Sequence, residues 1–359
     1  MHIGIIDEFR EKQMTGINRV VCGTLEELIK RTENTYSLLG QTHYLPIKID
    51  EISLFFDKGK EIDLNFLLLS HKMDVVHSFY RAYRFNEKIH CAKVLTIHDL
   101  IMLTHPEVAT QAVFNYFDGP LRRCARAADI IFADSESTKK DIIDYYKISE
   151  DKIEVVYPGL YPRTTRNLIA VSEKWQRLEK EKFILSVSGL TVYKNQLGLI
   201  KAFRVFMEKH PESDLKLVIT GPPRMRMEEI YDELRKLKYG DSVIFTGYVS
   251  EKELIWLYQN CLVYTSVSWY EGFGLTILEA LNQGKAVICS NTTSMPEVGG
   301  DAVEYCNPFD IESIECAIER VVLDDNRRRY LEKKSIAQAE KFSYKIAAEK
   351  IMNEYEKLV

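Results

Sequence analysis

Twice along this chain of 359 residues, short β-branched or apolar runs alternate with longer stretches of helical period. That alternation restricts the fold more than any other feature, because strands connected through helices pair in parallel and are covered by those helices on both faces. In the first half, strands are expected at 2–6, 36–39, 74–77, 93–97, 130–133 and 153–156, with helices over 18–30, 111–127 and 137–146. A second series starts after Pro158-Gly159 and Tyr161-Pro162. Its strands are expected at 183–187, 215–219, 243–246, 262–265, 286–289 and 303–305, and its helices over 196–209, 227–238, 251–259, 275–282, 311–323 and 326–341. The pattern is that of an α/β protein with two Rossmann-like domains, 1–160 and 161–342, joined by a segment that its prolines hold extended. The amphipathic stretch 343–359 has no strand after it, and the pattern leaves open whether it crosses back to the first domain.

Composition narrows the partners. Lys and Arg number 48 against 53 Asp and Glu, a formal charge of −5 with no basic surplus in either half, which argues against nucleic acid. Seven scattered cysteines without a C-x-x-C pair read as reduced thiols of a cytosolic protein. The start, MHIGIIDEFR, reaches Asp7 and Glu8 after a short apolar stretch, unlike a signal peptide, and no apolar run approaches the ~20 residues of a membrane span. A cytoplasmic protein is the expectation. Arg122, Arg123 and Arg126 share one helical face, either a solvated surface or a contact for anionic lipid head groups at the membrane.

In open α/β sheets ligands bind beyond the carboxyl ends of the strands, so the residues just after each strand carry the chemistry. After the strand at 262–265 come Glu271-Gly272-Phe273-Gly274 and a helix opening at Leu275. The glycines permit close backbone approach, and a helix start offers donors and partial positive charge suited to phosphate or a polar sugar. Glu279 lies among Leu275, Ile277, Leu278, Ala280 and Leu281, where an ionised carboxylate needs donors: a ribose diol, a backbone group or a lysine. Beyond the strand at 183–187 stand Ser188-Gly189 and Tyr193-Lys194-Asn195, with Lys194 either a cation for a diphosphate or a solvated loop lysine. His98 ends the strand at 93–97 and is either structural or part of the site; Gly16 is a close-approach glycine or a plain turn. Phe79, Tyr80, Tyr83 and Phe85 would stack on an acceptor sugar or pack beneath a loop, and Ser137 reads as a helix N-cap.

The segment 268–308, SWYEGFGLTILEALNQGKAVICSNTTSMPEVGGDAVEYCNP, resembles the family 4 glycosyltransferases of GT-B architecture, marked by a Glu, a Gly-Phe-Gly-Leu turn and a second Glu eight positions after the first. Those glutamates are Glu271 and Glu279 here. The likeness continues through Gly284-Lys285-Ala286-Val287-Ile288, Pro296-Glu297-Val298 and Gly300-Asp301-Ala302, and earlier through Phe245-Thr246-Gly247-Tyr248-Val249-Ser250. Thr15-Gly16-Ile17-Asn18-Arg19-Val20, Thr96-Ile97-His98-Asp99-Leu100 and Ser135-Glu136-Ser137-Thr138 are similar to a bacterial subgroup rich in polysaccharide-building enzymes.

The resemblance implies two Rossmann-like domains facing each other across a cleft, and transfer of a sugar, with retention, from a nucleotide diphosphate sugar to a hydroxyl of a glycan or lipid-linked acceptor. By it, Glu279 binds the ribose hydroxyls, Glu271 contacts the transferred sugar, and Gly272, Phe273, Gly274 and Leu275 hold sugar and phosphate. Lys194 matches the family lysine, His98 meets the transferred sugar or lies near the acceptor, and Gly16 and Gly189 border the donor. The arginine of many members is absent, with Ser188-Gly189 and Tyr193 at its places; Arg224 or Arg226 replaces it or sits on a surface loop. The nucleotide sugar is a substrate, and neither a cofactor nor a divalent metal is expected, since Lys194 and the helix N-terminus face the diphosphate charge. The other readings are a sugar-nucleotide epimerase of the same architecture and a catalytically silent nucleotide-sugar-binding module.

Overall fold

A computed structural model of the chain describes residues 1–6, 16–39, 72–79, 89–160, 175–189, 191–221, 227–236 and 240–359. It divides into two compact units: Met1–Tyr161 together with Phe342–Val359, and Pro162–Lys341.

The first unit holds six parallel strands, β1 (His2–Ile6), β2 (Thr35–Leu39), β3 (Val75–Ser78), β4 (Ala92–Ile97), β5 (Ile130–Ala133) and β6 (Ile153–Val155), in the order β2-β1-β3-β4-β5-β6. Their near-continuous apolar runs place successive side chains on opposite faces. Val75, Val94 and Ile130 join one buried cluster, while their neighbours Val76, Leu95 and Ile131 join the other. Helix Tyr344–Leu358 supplies Ala347, Ile351, Met352 and Tyr355 to the first of these clusters, beside helix Gly16–Leu28. Gly23 makes that contact feasible, because a Cβ there would stand 2.2 Å from a ring carbon of Tyr344. Tyr355, fully buried, hydrogen-bonds the Nδ1 of His77 at 2.5 Å, and Thr96 Oγ1 meets the Nε2 at 2.7 Å. The last helix is therefore a structural part of the first unit, not an appendage of the second.

The second unit also has six parallel strands, β7 (Phe183–Val187), β8 (Lys216–Thr220), β9 (Val243–Gly247), β10 (Val263–Ser266), β11 (Val287–Ser290) and β12 (Val303–Cys306), in the order β12-β11-β10-β7-β8-β9. The chain winds outward from β7 in one direction and from β10 in the other, so right-handed crossovers put their helices on opposite faces. Helices Gln196–Lys209, Met227–Lys236 and Ile311–Leu323 pack together, and helix Leu275–Asn282 packs with Asp325–Ala339. The reversal between β7 and β10 opens a crevice at their carboxyl ends, and the loops leading to Lys194 and Glu271 start there.

Two local expectations need correction. The cap of helix Glu136–Tyr146 is Ser135, whose extended backbone lets its Oγ accept the Thr138 amide at 3.0 Å; Ser137 lies inside the first turn. Gly16 is the first described residue of helix Gly16–Leu28, two positions before the expected start, so it is helical and not a loop glycine.

Candidate active site

At the crevice of the second unit the loops after β7 and β10 are tied before any side-chain chemistry begins. The Trp269 amide donates to the Tyr193 carbonyl at 2.7 Å. Asn195, in the left-handed region at φ 54°, donates its side-chain amide to the carbonyls of Val267 and Pro308, at 3.2 and 2.7 Å. This buried amide joins the loops that follow β7, β10 and β12, and it fixes where its neighbour Lys194 stands.

The Lys194 ammonium donates to both carboxylate oxygens of Glu271 at 2.7 Å, and Ser268 Oγ donates to Oε1 at the same distance. The two side chains are 20% and 14% exposed, enough for a ligand to reach and for water to lower the cost of the paired charges. The Glu271 amide donates to Thr293 Oγ1 at 3.1 Å. Ser294 Oγ donates to the carbonyls of Glu271 and Phe273, both at 2.8 Å, which sets the turn. Gly274 then takes φ 115°, a conformation that L side chains rarely adopt, and helix Leu275–Asn282 follows it. The first amides of a helix have no partner within it, so Leu275 and Thr276 open an anion-ready end beside the Lys194–Glu271 pair. Gly272 is in the turn, yet its φ is not positive; of the two glycines, Gly274 alone needs to be glycine for its backbone.

Glu279 is buried on the same helix, and the Tyr258 hydroxyl donates to its Oε2 at 2.9 Å. Tyr258 lies on helix Glu251–Asn260. The Tyr258 hydroxyl is thus oriented on the carboxylate by packing. Gly189, at the end of β7, is backed by Gly221, where a Cβ would approach the Ser188 carbonyl oxygen to 2.2 Å. Arg224 and Arg226 lie outside the described residues.

In the first unit His98 is buried, 8% exposed, with both ring nitrogens engaged by the protein. Its Nε2–H donates to the Phe79 carbonyl at 2.6 Å and its Nδ1 meets Asp134 Oδ2 at 2.8 Å. A ring facing a carbonyl on one side and a carboxylate on the other favours its protonated form. Burial opposes that charge, but Asp134 outweighs it with help from Asp99 and Phe79, so the pKa lies above the usual 6.5. His77 goes the other way, driven well below 6.5 by complete burial and by the charge of His98. Phe79 stacks on His77 with ring centroids 3.8 Å apart, a core contact instead of a platform for sugar; Tyr80, Tyr83 and Phe85 lie outside the described residues. Arg122 pairs with Asp118 at 3.0 Å and lies over the rings of Tyr145 and Tyr146, while Arg123 and Arg126 are exposed. No helix among the described residues is long and apolar enough to cross a membrane.

The structure therefore brings together Lys194, Glu271, Gly274 and Leu275, with Glu279 further along the same helix. Sequence reasoning missed Ser268, Thr293, Ser294, Asp134 and Tyr258 as the partners that orient the site residues. None of these carries a local signal, since a Ser or Thr after a strand is an ordinary loop residue.

The family described as Glycosyl transferases group 1 matches residues 170–338, and the one described as Glycosyltransferase Family 4 matches 45–163. The chain is 28% identical over 269 residues to O-antigen chain mannosyltransferase B of Escherichia coli, covering 74% of this chain and 70% of that one. It is 29% identical over 265 residues to the serotype-specific mannosyltransferase WbdA of the same species, and there the match spans 32% of the relative's length. Among solved structures, a glycosyltransferase from Rickettsia africae ESF-5 is similar with a TM-score of 0.75 at 20% identity, covering 99% of this chain and 98% of that one. The Anabaena protein Alr3699/HepE, in complex with UDP and glucose, is similar with a TM-score of 0.77 at 16% identity, covering 100% of both chains.

Proposed function

This chain belongs to the family 4 glycosyltransferases of GT-B fold, and on that premise we propose that it moves a hexose, with retention, from a nucleotide diphosphate sugar to a hydroxyl of a glycan or lipid-linked acceptor. The relatives named as mannosyltransferases, one of them for the O-antigen chain, support bacterial surface polysaccharide as the product and mannose as the sugar. A cytoplasmic enzyme that visits the inner membrane face suits a lipid-linked acceptor.

The observation that carries this reading is the Lys194–Glu271 pair beside the helix opening at Leu275. An incoming diphosphate draws the Lys194 ammonium away from Glu271. The freed carboxylate accepts a hydroxyl of the transferred sugar, and Ser268 keeps it aimed. As the bond between the anomeric carbon and the β-phosphate oxygen breaks, its electrons pass to that oxygen, where Lys194 and the helix amides stabilise the growing charge. The acceptor oxygen bonds to the anomeric carbon, and its proton passes to the leaving phosphate oxygen. Glu279, held by Tyr258, accepts from the ribose diol. His98 acts through position, tied to Asp134 and Phe79 at the ends of their strands, and Gly189 borders the donor.

The decisive experiment incubates the protein with UDP-, GDP- and dTDP-sugars, with and without mannose-containing acceptors, and follows nucleoside diphosphate release. Acceptor-dependent release supports transfer. Release of an altered nucleotide sugar without acceptor points to an epimerase, and nucleotide binding without turnover to a silent module. Because a lysine and a helix N-terminus face the diphosphate charge, the full rate is expected in excess chelator. Loss of activity with EDTA, restored by manganese or magnesium, would overturn this metal-independent account.

Glu279→Ala is expected to weaken nucleoside diphosphate binding by about 1.5–3 kcal/mol, the worth of hydrogen bonds to a charged acceptor. The fold is kept, since the Tyr258 hydroxyl can turn to the Thr276 carbonyl, 3.4 Å away. Calorimetry giving the same affinity for variant and unaltered protein would remove Glu279 from the ribose.

A further inference from the structure

On the face of the second sheet opposite helix Leu275–Asn282, a cavity of about 230 Å³ lies behind the catalytic loops. Its walls include Thr191, Lys201, Ile230, Trp269, Phe309 and Ile311, none of which the transfer mechanism uses. It is smaller than the roughly 300–1,000 Å³ of sites for drug-sized ligands, so it admits a single ring.

Its chemistry is mixed in a particular way. Trp269 and Phe309 stack with centroids 5.8 Å apart and planes inclined by 27°, and Phe309 is 67% exposed on a turn that Asn307 holds through its side-chain oxygen. A large aromatic presented to water next to a cavity is a platform lacking its ligand's apolar face. Lys201 on the wall has no ion-pair partner among the described residues. The side-chain amides of the wall are already used: the Asn195 amide on Val267 and Pro308, the Gln196 amide on Ser186 and Ser188. What the cavity offers is an aromatic platform and an ammonium, which suit a pyranose whose C–H face lies on a ring while a hydroxyl accepts from the ammonium.

We propose that this cavity is a second carbohydrate site, which holds one hexose residue of the glycan on which the enzyme works, apart from the donor. The assignment rests on the reading of this chain as a transferase with a glycan acceptor. Trp269 stands two residues before Glu271, and its amide is bonded to Tyr193, next to Lys194. A sugar seated on the Trp269 ring would therefore steady both loops of the donor site and favour turnover when polymer is present.

The test follows the Trp269 indole N–H resonance of the isotopically labelled full chain, assigned with Trp269→Phe. Methyl α-mannopyranoside and α-linked mannotriose are titrated with nucleoside diphosphate saturating the donor site. A saturable shift is expected with both, and Phe309→Ala and Lys201→Ala should each weaken it by about tenfold while nucleoside diphosphate affinity is unchanged. Both side chains lie at the surface or half-buried, so these variants fold. No saturable shift in the unaltered protein, or equal saccharide affinity in both variants, overturns the proposal. If the enzyme transfers sugar to glycan while the resonance stays still, the second site alone falls; absence of transfer to any glycan sinks the reading beneath it.

Discussion

Lys194→Ala is expected to lower kcat for sugar transfer by about 10²–10³-fold, the usual cost of removing one preorganised group from a site of developing charge. The Tyr193–Trp269 and Asn195 contacts fix the loop that carries the ammonium, so only the side chain has to turn from Glu271, 2.7 Å away, to the diphosphate. Its benefit grows as the leaving diphosphate gains charge, so kcat and kcat/KM should fall together while KM for the donor changes little. The fold should persist, because Glu271 keeps the Ser268 hydroxyl and is partly open to water. Steady-state kinetics with the donor found by the nucleotide screen is the measurement. Turnover close to that of the unaltered protein would move the cationic role elsewhere, with Arg224 and Arg226 the next residues to replace.

The second large effect concerns stability. His98→Ala removes one partner of a buried ion pair and leaves the Asp134 carboxylate, in a residue only 6% exposed, without its cation. It also strips the Phe79 carbonyl of its donor. Breaking such a pair costs about 3–5 kcal/mol, a large part of the roughly 5–15 kcal/mol that hold a domain together. Chemical denaturation of the full chain should show an earlier transition with an unchanged slope; a midpoint equal to that of the unaltered protein would return His98 to a purely functional role.

The same pair gives a pH signature. The folded pKa of His98 lies above 6.5, so its contribution is fully present below that pH and is lost as pH rises through the folded value. His77 has the opposite sign: its folded pKa lies well below 6.5, and its contribution is present above 6.5 and lost as pH falls. Asp134→Asn removes the main support for the charge on His98. The variant should therefore lose the alkaline decline and show a weaker acid one, since His77 is relieved of the neighbouring charge.

Much of this was legible in the linear chain. The strands at β1, β7 and β10 and the helices at 196–209 and 275–282 follow from apolar periodicity, which depends on residues only a few positions apart. Glu271 and Glu279 stood out because their spacing around a glycine turn resembles the family's, and Lys194 because it matches the family lysine; such motifs are local. Ser135 as the cap in place of Ser137 was a near miss of the same kind, decided by which serine adopts extended backbone.

Partnership was not legible. Lys194 meets Glu271 across 77 positions, Tyr258 meets Glu279 across 21, His98 meets Asp134 across 36, and Tyr355 meets His77 across 278. Each pairing depends on strand order: β10 lies beside β7 although two strands intervene in the chain, and the last helix lies against the first sheet. The apolar pattern tells a segment which face to bury and says nothing of which neighbour will cover it. The sequence by itself thus determined the two sheets and the chemical types at their edges. The tertiary structure alone decided that Lys194 and Glu271 form one pair, that His98 is held between two acceptors, and that Trp269 stacks on Phe309. These are contacts that close only when distant loops are brought to one edge of a sheet.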